Sequence, residues 1–253
     1  MHDHACWIYE DAGERREAVV EYFVDGLRSG QRLLYAGGHP IQRLRGDLEG
    51  LDGVEALVAD GALHVLSLED IERTVRADDA ERRIEAYAAA AEQAVADGYA
   101  GLRVAVAVAG LGGDPETHDG LTRWESLVDR AIVSRPLTAL CLYDRRELPD
   151  RLLADLASVH PVSHDSAGAP AFRVFARPDA VALEGEVDYF SASDLGRLLD
   201  ITLDDDDEVM LDLGGLGFVD HHGVMALATR HGLSFQNVPH PVARLSEVMG
   251  VAL

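Results

Sequence analysis

The chain contains no lysine: all 22 basic residues are arginine, set against 45 aspartates and glutamates, and the formal charge is −23. The absence of lysine excludes a Schiff-base amine, a lysine general base and the lysine of a phosphate-binding P-loop. The excess of acids works against electrostatic capture of nucleic acid or of an anionic membrane. We therefore expect neither nucleic acid nor a membrane as a partner.

Cysteine and long apolar runs are also scarce. The chain has two cysteines, too few for a disulfide framework. Its longest apolar stretch, Val104 to Leu111, falls far short of the roughly 20 residues that cross a bilayer. The amino-terminal residues lack the basic and apolar regions of a signal peptide. We expect a cytoplasmic chain with reduced thiols, and no motif predicts a cofactor.

The first 160 residues alternate short apolar runs with longer segments of helical periodicity. The runs have strand length and are rich in Val, Leu and Ile: Ala5 to Tyr9, Arg32 to Ala36, Ala62 to Ser67, Leu102 to Ala109 and Leu137 to Tyr143. Continuously apolar strands separated by amphipathic helices are typical of a mostly parallel sheet covered by helices on both faces. The sequence thus predicts an α/β domain.

A connector follows His160, where PVSHDSAGAP has the Pro, Gly, Ser and Asp content of a loop. We predict a first domain over residues 1–162, a linker over 163–170 and a small α/β domain over 171–253. The second domain has 14 acids and 5 arginines in the printed sequence. Neither part is a basic arm that would bind nucleic acid.

The second domain resembles the STAS family, which is named for sulphate transporters and anti-sigma-factor antagonists. The resemblance rests on VALEGEVDYFSASDL at 181–195 and EVMLDLGGLGFVDHHGVMAL at 208–227. In the antagonist branch of the family, the strand within the second stretch is followed by a turn that contains a serine. A kinase that is also an anti-sigma factor phosphorylates this serine, which disrupts its binding to the antagonist. The resemblance therefore implies a protein partner, such as an anti-sigma factor or kinase, that binds at the turn Asp220, His221, His222 and Gly223.

His221 stands where that family has its acceptor serine, so a serine kinase cannot act on this turn. One interpretation of the two adjacent histidines is a pH-sensitive or phosphohistidine element, or part of a metal site. The other, which we favour, is a pair of polar residues that fill a surface turn, because no third metal ligand is close in sequence.

The first domain resembles the MEDS family of sensory domains from methanogens and methylotrophs. Four ordered blocks carry the resemblance: His4-x-Cys6-x-x-Tyr9, GLRSGQRLLYAG at 26–37, DGYAGLRV at 97–104 and CLYDRRELP at 141–149. The resemblance implies a fold related to RecA-like ATPases and a role in sensing small hydrocarbon-derived compounds.

The phosphate loop of such an ATPase is degenerate in this chain. The turn after the first strand, residues 10–16, has one glycine and three acids where a Gly-rich loop ending in Lys-Ser or Lys-Thr would be needed. The Gly37-Gly38 pair after the second strand is followed by His39 and by Pro40, which has no N–H to offer a phosphate. We therefore do not expect nucleotide hydrolysis.

Ligands of open α/β sheets bind beyond the carboxyl ends of the strands. The residues that the sequence places there are candidates for one pocket: Tyr9, Glu10, His39, Asp114, Tyr143, Asp144 and Arg145. Arg145 or Arg146 would supply the cation for an acidic ligand group. Alternatively, the tyrosines are half-buried strand ends and the arginines pair with local acids such as Asp144.

A metal site is a second candidate, at the amino terminus. His2, His4 and Cys6 alternate, so they share one face of a strand and present N, N and S ligands that suit a soft metal. The alternative is a mobile terminus with Cys6 as a small core residue. A joint thiol role for Cys6 and Cys141 stays open.

We expect a non-enzymatic cytoplasmic signalling protein that joins a small-molecule sensor, its ligand not identified, to a protein-interaction module. One alternative is a hydrolase or transferase that uses Glu10, Asp114 and Asp144 with His39 or His160. The other is a scaffold that binds no ligand. The sequence leaves self-association into a homo-oligomer open.

Overall fold

The computed structural model describes residues 4–67, 80–109, 115–204 and 208–253. Its contacts divide the chain into two compact units. The first unit comprises residues 1–113, 134–153 and 162–168, and the second comprises 114–133, 154–161 and 169–253. Each unit therefore comprises several separate stretches of sequence.

The first unit is built on a six-stranded parallel sheet with the order β3-β2-β4-β5-β1-β6. Its strands are β1 (His4–Tyr9), β2 (Arg32–Gly37), β3 (Leu63–Ser67), β4 (Leu102–Val108), β5 (Leu137–Asp144) and β6 (Val162–Asp165). Its helices are α1 (Ala12–Arg28), α2 (Ile41–Gly46), α3 (Val54–Ala59) and α4 (Ala80–Ala96). Helix α5 (Pro115–Ile132) belongs to the second unit, and the division passes through α6 (Asp150–Ser158).

The strands of the first unit pack their apolar side chains against α1 and its neighbours. Phe23 of α1, Tyr35 of β2 and Leu142 of β5 are fully buried in one cluster. Burying a large apolar side chain of this kind contributes about 1.5–3 kcal/mol. The parallel order brings the carboxyl ends of β1, β2 and β5 to one edge of the sheet, which positions the candidate site.

The second unit is built on a four-stranded mixed sheet with the order β10-β9-β8-β7. Its strands are β7 (Phe172–Arg177), β8 (Ala180–Val187), β9 (Val209–Val219) and β10 (Leu233–Gln236), of which β7 and β8 are antiparallel and the other pairs parallel. Besides α5, its helices are α7 (Ala192–Thr202), α8 (His221–Ala228) and α9 (His240–Met249). Leu195, Leu198 and Leu199 of α7 lie in its apolar core.

Helix α5 is joined to the rest of the second unit by polar contacts at the carboxyl end of α7. Arg123 donates to the carbonyl of Ile201 at 3.3 Å, and Arg130 donates to that of Thr202 at 2.8 Å. The carboxylate of Asp129 accepts from the backbone N–H of Ala176. Cations at this helix end complement the partial negative charge of the last carbonyls, so the arginines of α5 complete α7.

The segment predicted as a linker, residues 163–170, overlaps a strand. Val162–Asp165 pairs in parallel with β1 as the edge strand β6. The sequence did not predict this strand, because its residues are mostly polar and alternate between exposed and half-buried positions. An edge strand has fewer side chains to bury and therefore forms no continuous apolar run. The short helices α2 and α3 and the helix α6 were likewise not predicted.

The mixed α/β class is confirmed, with a parallel sheet flanked by helices and a second, small sheet. Among the described residues, no helix combines the length and the apolar character needed to cross a membrane.

Candidate functional site

The predicted pocket residues converge on the carboxyl edge of the first sheet. Tyr9 ends β1 directly beside Asp144, its register partner at the end of β5. The backbone N–H of Arg145 donates to the carbonyl of Tyr9 at 3.0 Å. His39 follows β2 by two residues and is buried. Tyr143 is buried within β5, and Asp114 lies outside the described residues.

A buried arginine lies at the centre of this edge. Arg15 of α1 is 1% exposed and donates from Nε and Nη2 to the two carboxylate oxygens of Asp47, at 3.0 and 2.8 Å. Its Nη1 lies 3.3 Å from the hydroxyl of Tyr9 and 3.4 Å from Nε2 of His39. The Tyr35 hydroxyl donates to Asp47 at 2.8 Å. These five side chains, Tyr9, Arg15, Tyr35, His39 and Asp47, form what we call the Arg15 network.

Sequence patterns did not predict Arg15 or Asp47 as site residues. The signal was the spacing of α1, in which Arg15, Ala18, Val19 and Phe23 share the buried stripe. An arginine in an apolar stripe indicates a buried ion pair, because an isolated buried charge is costly. Its partner Asp47 could not be inferred, since it lies 32 residues further along the chain.

Burial and neighbouring charges shift the pKa values of three residues of the Arg15 network. Burial lowers the pKa of His39 below its usual 6.5, and the nearby cations Arg43 and Arg15 lower it further. Burial raises the pKa of Tyr9 although Arg15 opposes the shift, and burial together with Asp47 raises that of Tyr35. His39 is therefore a neutral imidazole beside a permanent cation, and both tyrosines stay protonated.

The start of α1, which would hold phosphate in a nucleotide-binding domain, is filled by carboxylates of the chain itself. Asp11 caps the helix by accepting from the backbone N–H groups of Gly13 at 2.7 Å and Glu14 at 3.0 Å. The Glu14 carboxylate accepts from the N–H of Glu10 at 2.9 Å. The hydrogen bonds to Glu14 and Gly13 lower the pKa of Asp11. A phosphate here would meet fixed negative charge and amides that are already engaged.

Ion pairs occupy the outer side of the same edge. Arg145 pairs with Asp165 of β6, and Arg146 donates to both carboxylate oxygens of Asp144 at 2.9 and 2.6 Å. Although burial raises the pKa of Asp144, the hydrogen bonds from Arg146 lower it overall. The Glu10 carboxylate accepts from Ser166 at 2.7 Å. The arginines thus bind local acids, so a charged ligand would have to displace an internal partner.

The amino-terminal metal candidates lie on or before β1. His4 and Cys6 are both buried, and His2 lies outside the described residues. Cys6 is the register partner of Cys141 on β5. The Nε2 atom of His4 lies 3.5 Å from the sulfur of Cys141, so the thiol that His4 approaches is on the neighbouring strand.

The turn between β9 and α8 is the candidate site of the second unit. Asp220 caps α8 by accepting from the N–H groups of His222 at 2.8 Å and Gly223 at 3.1 Å, and its other oxygen accepts from the N–H of Tyr189 at 2.9 Å. Burial raises the pKa of Asp220, but the hydrogen bonds from Gly223 and His222 lower it overall. A Cβ at position 223 would lie 2.5 Å from Val219 and 2.8 Å from Val187, so only glycine fits.

Exposed aromatic side chains border this turn. Tyr189 is 63% and Phe190 82% exposed, and their ring centroids are 5.3 Å apart. The ring of Tyr189 meets that of His222 edge-on at 4.9 Å, and the His221 ring lies 3.8 Å from that of His222. We call Tyr189, Phe190, His221 and His222 the aromatic patch.

Metal binding by the two histidines is not favoured by this geometry. Asp220, His221 and His222 bring ligand atoms within 4.8 Å of one another. However, the carboxylate of Asp220 already accepts three backbone N–H groups. The amino end of a helix carries partial positive charge, which favours an anion over a cation.

Residues 3–161 match the family model described as the methanogen/methylotroph, DcmR sensory domain, MEDS. The chain belongs to the MEDS family. Comparison with curated proteins finds no match, and comparison with solved structures finds none either. Membership in a family of sensory domains indicates a sensory role in signalling.

The MEDS match extends beyond the first unit. Helix α5 lies inside residues 3–161 and yet forms part of the second unit, where it contacts α7. The aromatic patch and Asp220 lie outside the matched residues. The MEDS region therefore contributes a helix to the unit that carries the second candidate site.

Proposed function

We propose that the protein is a non-enzymatic sensor in which a degenerate RecA-like MEDS domain responds to a small molecule and a STAS-like module transmits the response to a protein partner. The observation that carries this proposal is the occupied turn at the start of α1. Asp11 and Glu14 take the amides that a nucleotide phosphate would need, which leaves this edge suited to a ligand without phosphate.

The ion pairs at the carboxyl edge of the first sheet favour a small, weakly charged ligand. Arg15, Arg145 and Arg146 each pair with an aspartate at the edge, so the binding of a strong anion would leave a buried or half-buried carboxylate without its partner. A small hydrocarbon-derived compound, the class that the MEDS resemblance implies, does not incur that cost.

The output of the sensor is proposed to pass through α5. This helix is the next described element after β4 in the sequence, and its arginines donate to backbone carbonyls at the carboxyl end of α7. A change at the edge that moved α5 would disturb these contacts. The connection is covalent at one end and hydrogen-bonded at the other, which makes α5 the proposed transmitting element.

The partner is proposed to dock on the aromatic patch. The mixed sheet with α7 and α8 beside it supports the STAS-like interpretation, in which the turn at Asp220 faces a regulator of a sigma factor. Exposed aromatic side chains are the residue type most enriched at the energetic centre of interfaces. Because His221 replaces the acceptor serine, control by ligand takes the place of control by a serine kinase.

Ligand-dependent thermal shift of the full chain tests the sensor. We expect short-chain alcohols to raise the melting temperature, because a ligand that binds only the folded state stabilises it. ATP and GTP should leave it unchanged and should not be hydrolysed. Release of phosphate that is lost in Asp144→Asn would instead favour the hydrolase alternative, and no shift with any small molecule would favour the scaffold.

Isothermal titration with a purified anti-sigma factor tests the output. Phe190→Ser should weaken binding by at least about 2 kcal/mol if this ring is an interface hot spot. The matched control is Val248→Ser on α9, which removes an apolar side chain that is 79% exposed elsewhere in the same unit. Equal effects of the two substitutions would contradict docking on the patch.

A further inference from the structure

An imidazole and a thiol meet in the interior of the first unit, on the neighbouring strands β1 and β5. His4 is 1% exposed and Cys141 4% exposed, and Nε2 of the histidine lies 3.5 Å from Sγ of the cysteine. Neither residue belongs to the Arg15 network. The function proposed above does not use them.

The separation of the two atoms matches that of two ligands on one tetrahedral zinc ion. Zinc binds imidazole nitrogen at about 2.0–2.1 Å and thiolate sulfur at about 2.3 Å, so a tetrahedral angle places the two donors roughly 3.5 Å apart. The distance between the two donor atoms therefore fits their binding to one ion.

The chemistry of the pair selects the class of metal. Imidazole and thiolate are borderline to soft ligands, which suit zinc better than calcium or magnesium, since these prefer oxygen. A buried thiolate is costly by itself, but a divalent cation compensates its charge. The net charge of −23 also attracts cations to the protein.

We propose that His4 Nε2 and Cys141 Sγ are two ligands of a site for one thiophilic divalent cation, and that zinc is the physiological ion. Cys6 is not part of the pair, although it lies opposite Cys141 in the register of the sheet. The proposal departs from the pattern that the sequence predicts, His2 with His4 and Cys6. It does not depend on the sensor or on its partner.

Cobalt(II) titration of the reduced, metal-free full chain tests the site, because cobalt reports the zinc ligands by absorption. We expect one cobalt per chain in native mass spectrometry, a sulfur-to-cobalt charge-transfer band in the near ultraviolet, and loss of that band when zinc is added. Cys141→Ser should remove the band and weaken binding at least about 100-fold, the upper range for loss of a group that only supports a ligand.

Cys6→Ser is the matched control, since it makes the same change on the same sheet and should keep the band. His4→Gln provides a second, independent variant: the charge-transfer band should persist while affinity falls. Circular dichroism and the urea midpoint of each variant establish that it is folded.

The proposal is overturned if the wild-type chain shows no charge-transfer band. It is also overturned if Cys6→Ser abolishes the band as completely as Cys141→Ser, or if cobalt affinity is unchanged in His4→Gln. Metal bound at His221 and His222 would give an adduct without a thiolate band, and this adduct would disappear in His221→Ala/His222→Ala. It is therefore distinguishable from the proposed site.

Discussion

The two units start a helix in the same way and surround the start differently. In each, an aspartate after a parallel strand caps the next helix, Asp11 at α1 and Asp220 at α8. The first turn lies beside a buried set of charges centred on Arg15, whereas the second lies beside exposed rings. The same type of helix cap therefore lies next to a buried network in one unit and next to an exposed surface in the other.

This difference supports the division of roles that we propose for the two units. Charges that are paired inside a protein disfavour an anionic ligand, because displacing either partner leaves a buried charge. Exposed apolar rings cost little in the free protein and are available to another surface. We therefore propose that the response to a weakly charged small molecule belongs to the first unit and recognition of a partner to the second.

The largest expected effect comes from removing the centre of the buried network. Arg15→Ala should destabilise the first unit by about 3–5 kcal/mol, because Asp47 then remains as a buried, uncompensated charge. Trp7 reports unfolding of the first unit when Trp124 is replaced by Phe, and Trp124 reports the second in Trp7→Phe. Urea unfolding followed by these two fluorophores separates the units.

Two controls define the cause of that loss. Arg16→Ala removes the neighbouring, exposed arginine, which pairs with Glu49 at 3.6 Å, and should cost below about 1 kcal/mol. Arg15→Met with Asp47→Leu removes both charges and should recover much of the stability. If the double variant is as unstable as Arg15→Ala, uncompensated charge is not the reason.

The next effect compares the two helix caps. Asp220→Ala should destabilise the second unit by about 1 kcal/mol, because the N–H groups at the start of α8 lose their acceptor. Asp220→Asn keeps an acceptor oxygen and should retain most of this stability. Asp11→Ala should have a smaller effect than Asp220→Ala, since Asp11 accepts two backbone N–H groups and Asp220 accepts three. The reverse order in urea unfolding would contradict this account of the caps.

A smaller difference is expected in how the stability of each unit depends on pH. The pKa of His39 is lowered in the folded chain, so below its usual 6.5 the unfolded chain binds a proton that the folded chain does not. Stability of the first unit should therefore fall as the pH decreases from about 7 through 6.5 toward the folded pKa. His39→Gln should remove this part of the slope in the signal of Trp7 and leave the signal of Trp124 unchanged. An unaltered slope for Trp7 would show that His39 is not its source.

The smallest expected effect is that of the aromatic patch on stability. Phe190 is 82% exposed, so Phe190→Ser should change the free energy of unfolding by no more than about 0.5 kcal/mol. Together with loss of partner binding, this would identify the ring as a recognition residue. A loss of stability comparable to that of Arg15→Ala would mean that the patch is part of the folded core.

Sequence patterns predicted the regular elements that bury large apolar faces. The five apolar runs of the first part correspond to β1 to β5, and Gly30 follows the end of α1 as its spacing indicates. The edge strand β6 was missed because its side chains are half exposed and polar. Periodicity detects burial, so an element with little to bury leaves little signal.

The candidate sites were predictable only in part. Residues at strand ends could be placed near one another, because parallel strands end at a common edge. Sequence spacing could not predict that Arg15 pairs with Asp47. It also could not predict that His4 contacts Cys141, which lies 137 residues further along the chain. Side chains that meet through the fold have no fixed separation in the sequence.

The sequence by itself determined the α/β class, the absence of lysine, the acidic turn after the first strand and the two adjacent histidines in the turn after β9. Each is a matter of residue type at a position within one local element. Only the tertiary structure decided that carboxylates fill the start of α1, that α5 joins the second unit and that His4 faces Cys141. These depend on which strands become neighbours, which is fixed by packing of the whole sheet rather than by local sequence.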